Sequence, residues 1–147
     1  MQNSNKSHFQ TRKCFAELPA GSYYIGDISN FLQTDIYDNF WVKKHDKTSG
    51  HFVIDNQHFA VLYCGNGSYL GSNKHIYDGN NIGIVAADIG DKDLYTGNGT
   101  FHTFTEPVKM VENCGIVAFV SGSTYLLIDT QESLDTNEYD DGYDSWG

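Results

Sequence analysis

A mainly β, single-domain antiparallel sandwich or partly open barrel of eight to nine short strands with one short helix is the fold this sequence predicts. Three observations carry that expectation. Short runs rich in Val, Ile, Tyr, Phe and Thr recur at regular spacing, as sheet strands do. Fifteen glycines, with asparagines and aspartates, fall between the runs and supply turns. Helical spacing of apolar residues is visible only in residues 30–42, through Phe31, Leu32, Ile36 and Phe40.

Taken in order, residues 14–28 become strand-like around Phe15, Leu18 and the run Tyr23-Tyr24-Ile25, with Pro19 and Gly21 marking a turn. The segment 30–42 follows, short or split because its aspartates and asparagines are poor helix formers. Residues 43–49 are a charged loop. Residues 51–54 and 58–63 flank Asp55-Asn56-Gln57 and predict a hairpin with a three-residue turn. Short strands are expected at 68–70, 75–77 and 82–87, then a loop over 88–100. Residues 101–111 alternate, with Pro107 forcing an edge or a bend. Residues 116–120 and 124–128 flank Ser121-Gly122-Ser123 as a second hairpin.

Composition sets the boundaries. The chain has 147 residues, 39% hydrophobic and 14% aromatic, enough for one buried core. Its net charge of −10, from 19 acids and 9 bases, is uneven. Residues 1–13 hold Lys6, Arg12 and Lys13 without an acid and read as a flexible polar arm; residues 14–130 form the β-rich domain. Residues 131–147 hold six acids and no base and read as a disordered acidic tail containing aromatics. This balance opposes nucleic-acid binding, which needs clustered Lys and Arg. No apolar leader or membrane-length run is visible, so a soluble protein of the cytoplasm is expected. Cys14, Cys64 and Cys114, odd in number and widely spaced, read as reduced thiols.

Several landmarks follow one another along the chain: Leu18-Pro-x-Gly-x-Tyr-x-Ile-Gly-Asp27, Gly65-x-Gly67-x-Tyr69, Tyr77-Asp78, Ile82-Gly83-Ile84, an F-x-x-P turn and a closing Ile128-Asp129-Thr130. Their order resembles a family of small uncharacterised proteins of bacteria, phages and large DNA viruses. The likeness covers roughly residues 18–130. Where the family often continues Pro-Cys-Tyr, this chain has Ile28-Ser29-Asn30; where it often has Gly-Asp-Gly, this chain has Gly65-Asn66-Gly67. The resemblance implies a viral or phage-type accessory protein of the host cytoplasm or the virion, and neither a reaction nor a cofactor.

Candidate chemistry is sparse. Asp27 and Asp78 each close a strand beside a glycine and, with His75, could form an acid/base or metal pair; an Asx-turn, in which each satisfies its own backbone, is the favoured reading. His51 and His58 can face each other across the hairpin and, with His102 or Asp78, bind zinc. Asp88, Asp91 and Asp93 miss the EF-hand spacing and read as a solvated loop. Gly65-Asn66-Gly67 and Gly97-Asn98-Gly99 lack the lysine and helix of a phosphate loop. In the tail, Tyr139, Asp140, Asp141, Tyr143 and Trp146 have the composition of a docking motif for a basic groove. The favoured expectation is a non-enzymatic protein-binding module without a cofactor, monomeric or dimeric. The alternative is a small hydrolase or metal-dependent enzyme built on Asp27, Asp78 and a histidine.

Overall fold

A computed structural model describes residues 13–131 and Ser133. Nine strands lie in these residues: β1 Lys13–Leu18, β2 Gly21–Asp27, β3 Gly50–Ile54, β4 Gln57–Leu70, β5 Ile76–Ala86, β6 Thr100–Phe104, β7 Val108–Asn113, β8 Ile116–Ser121 and β9 Thr124–Asp129. They form two antiparallel sheets, a four-stranded one ordered β1-β7-β8-β9 and a five-stranded one ordered β3-β4-β5-β2-β6. β1 lies against β3 and β4, and β9 against β4, which closes a sandwich.

Burial follows the period of two on the four-stranded sheet. Val108 and Met110 of β7, Val117 and Phe119 of β8 and Leu126 and Ile128 of β9 point inward, while Lys109, Tyr125 and Leu127 stay outside. β2 behaves differently. Tyr23 through Asp27 are all buried, because both faces of the five-stranded sheet are covered. Its second face packs on the segment after β2: Phe31 stacks on Tyr24 with centroids 5.0 Å apart, and Phe40 meets Phe52 and Phe59 edge-on.

That segment is helical and split, as its aspartates and asparagines lead one to expect, but its longer part is not an α-helix. A 3-10 turn, Ile28–Asn30, precedes a π-helix, Ile36–Val42, in which Lys43 N–H donates to the Asp38 carbonyl and His45 N–H to the Phe40 carbonyl. The wider turn accompanies full burial of Trp41, whose Nε1–H reaches the Thr48 carbonyl at 2.9 Å.

Strand boundaries differ instructively from expectation. Residues 58–63 and 68–70 belong to one strand, β4, and residues 76–77 and 82–86 to another, β5. The intervening glycines and asparagines make an irregularity between Tyr63 and Gly67, not a chain reversal. Residues 101–111 divide into β6 and β7 of different sheets, with Pro107 between them. The first hairpin turn is two residues long, with Asp55 and Asn56 both at positive φ, as a type I′ turn demands.

Candidate functional site

Asp27 ends β2 at the 3-10 turn and is only 4% exposed. One carboxylate oxygen accepts from the Ser29 N–H at 2.8 Å and the Ser29 hydroxyl at 2.7 Å. The other accepts from the Asn80 and Asn81 N–H groups at 3.0 and 3.3 Å. All four contacts satisfy backbone or turn donors, so this carboxylate ties β2 to β5. Asp78, half-buried on β5, accepts from the Ser68 hydroxyl at 2.5 Å across the pairing with β4. His75 lies edge-on against Tyr77, centroids 4.6 Å apart, with its Nε2 buried and unpartnered.

His51 and His58 do meet. The register pairs His51 with Ala60 and His58 with Val53, a diagonal on one face, and His51 Nε2 lies 2.9 Å from His58 Nδ1. Burial and then the neighbouring His58 hold His51 below its ordinary pKa. Across this contact one ring donates and the other accepts. His102 stands on β6, at the opposite edge of the same sheet, and so is not brought to this pair. Among the described residues no three His, Cys, Asp or Glu side chains converge as a metal site. His58 also borders an open cleft of about 400 Å³ together with Ser22, Asn56 and Asp88.

A polar chain that sequence reasoning missed runs from the exposed Asn73 through the buried Tyr77 to the half-buried Thr100 and His102. Asn73 accepts from the His75 N–H through Oδ1, so its Nδ2 donates to Tyr77 Oη at 3.0 Å. Tyr77 is fully buried, and its hydroxyl proton has Thr100 Oγ1, 2.8 Å away, as acceptor. The Thr100 proton is then free for His102 Nε2, at 2.7 Å. This ordering assigns His102 the neutral Nδ1–H tautomer. Burial lowers its pKa, in the same direction. The sequence pattern put Tyr77 in a strand and His102 in the alternating run, but left Thr100 in a loop.

His102 lines a second cleft, of about 350 Å³, between β6 and the β8–β9 turn. On the outer side of the four-stranded sheet, Val111, Ala118 and Leu127 form a row across three strands. Ile116 and Tyr125 flank that row, 38% and 63% exposed.

Tyr139, Asp140, Asp141, Tyr143 and Trp146 lie outside the described residues, as do residues 1–12 of the proposed arm. Cys64 and Cys114 are free thiols among the described residues, and burial pushes the Cys64 thiol up. No described helix is long and apolar enough to cross a membrane. Compared with protein-family models, curated proteins and solved structures, the chain matches none of them.

Proposed function

We propose that this chain is a non-enzymatic protein-binding module whose outer β7–β8–β9 face holds a partner protein. The observation that carries the reading is the outer face of β7–β9, where Ile116, Tyr125 and Leu127 stand exposed around the buried Val111 and Ala118. Lys109 and Asp129 sit at its ends and give it a polar rim, the pattern of a recognition surface. The chain's charge of −10 favours a partner with an apolar centre and a basic surround, because such a field steers encounter.

The alternative, a hydrolase on Asp27 and Asp78, is the weaker reading. Asp27 would have to release four donors to act as a base, leaving buried N–H groups unpaired.

The test is a photo-cross-linking amino acid placed at Tyr125, with the same group at Asp55 in the β3–β4 turn as control. The reading expects a discrete protein adduct at 125 that is lacking at 55. Equal labelling at both positions, or none at either, contradicts it.

A further inference from the structure

We propose that the cleft between β6 and the β8–β9 turn is a binding site for an uncharged carbohydrate unit. Four features point to that ligand chemistry. First, the wall is rich in hydroxyls: Thr105, Ser123 and Thr124 line it without a protein partner among the described residues, beside Thr103, which is held by Ser22, and Ser121, which donates to the Glu106 carbonyl. Such groups both donate and accept, as sugar hydroxyls do.

Second, His102 and Phe104 present nearly parallel rings, centroids 5.8 Å apart and 13° between planes, with Tyr23 behind Phe104. The wall of the cleft is mostly polar, so these rings add a small apolar contact beside the hydroxyls, a mixture that suits a sugar, which is polar with small C–H patches. Third, the Asn73–Tyr77–Thr100 chain spends His102 Nε2 as an acceptor and leaves Nδ1–H as the donor of a ring that lines the cleft. The site thus holds a fixed donor beside adaptable hydroxyls.

Fourth, the charge pattern excludes the obvious rivals. No Lys or Arg lines the cleft, and the Glu106 carboxylate does, so a phosphate or carboxylate ligand would be repelled. That carboxylate rests over the turn: a Cβ on Gly122, which sits at φ +59°, would lie 2.8 Å from Glu106 Oε2. One carboxylate with no second acid does not make a cation site. A volume of about 350 Å³ suits one sugar ring and sits at the small end of ligand sites, which run from about 300 to 1,000 Å³.

The experiment is an amide NMR titration of the full chain with D-glucose, D-galactose, D-mannose and N-acetyl-D-glucosamine, each separately. At least one sugar is expected to shift amides of Thr103–Glu106 and Ser121–Thr124 saturably, leaving the β3–β4 hairpin unmoved. Glu106→Gln and Ser123→Ala, both exposed positions, should fold normally and weaken that sugar about tenfold each. His102→Phe, which keeps a ring but loses the donor, should weaken it further; should that variant unfold, Glu106→Gln and Ser123→Ala decide alone. No saturable shift with any of the four sugars, or shifts unchanged in both variants, overturns the proposal.

Discussion

The Asp27 carboxylate fills the space that a side chain at Gly79 would need. A Cβ built on Gly79 lies 2.0 Å from Asp27 Oδ2, and Gly79 itself sits at φ +131°. Two residues 52 positions apart in the chain are thus one device. The glycine lets the strand pass, and the carboxylate caps the neighbouring Asn80 and Asn81 amides.

Asp27→Ala should therefore destabilise the fold by about 2–4 kcal/mol, since several buried donors lose their acceptor at once. Gly79→Ala should cost a comparable amount through strain and collision. The pair should be non-additive, because either change alone already breaks the same contact. Denaturant unfolding of the two single variants and the double variant measures this. Additive losses would mean the two residues act separately.

The imidazole pair gives a pH dependence. His51 is held below its ordinary value of 6.5 by burial and by His58. The folded state then binds fewer protons than the unfolded one as pH falls. Stability should be full above pH about 6.5 and decline as pH drops from there through the folded value. His102, also lowered, adds to the same slope. An NMR titration of the His51 ring should give a midpoint below 6.5, and a midpoint at or above it would contradict the placement.

Tyr77→Phe removes one oxygen from a fully buried position and leaves Asn73 Nδ2 and the Thr100 hydroxyl without their partner. A loss of about 1–2 kcal/mol is expected. The His102 ring should also lose its preference for the Nδ1–H tautomer, read from its ring nitrogen shifts. An unchanged tautomer would show that Thr100 is ordered without the phenol.

The sandwich was legible because alternation and turn chemistry are local. The run 116–120 and 124–128 around Gly122 is β8 and β9 with nearly the bounds the sequence suggested. His51 and His58 share a face because the turn is Asp55-Asn56 alone; the three-residue turn expected from the sequence would have put them on opposite faces. Longer-range facts were not legible. Gly67 and Gly79 look like breakers in sequence, yet they pair with each other across β4 and β5, and the side chains of Ser133 and Asp27 take the room that a Cβ on each would need. The roles of Tyr77 and Thr100 depend on a 2.8 Å contact between residues 23 apart, which no local pattern encodes. The register sets Val111, Ala118 and Leu127 side by side, but which face of β7–β9 would point away from the second sheet depended on how the two sheets stack.

The central claim, that the outer sheet face binds a partner, is tested most directly by Leu127→Asp. Leu127 is 37% exposed, so the charge can stay in water and the unfolding midpoint should hardly move. The cross-link formed from position 125 should nevertheless disappear. An undiminished adduct in a normally folded Leu127→Asp protein would contradict the account.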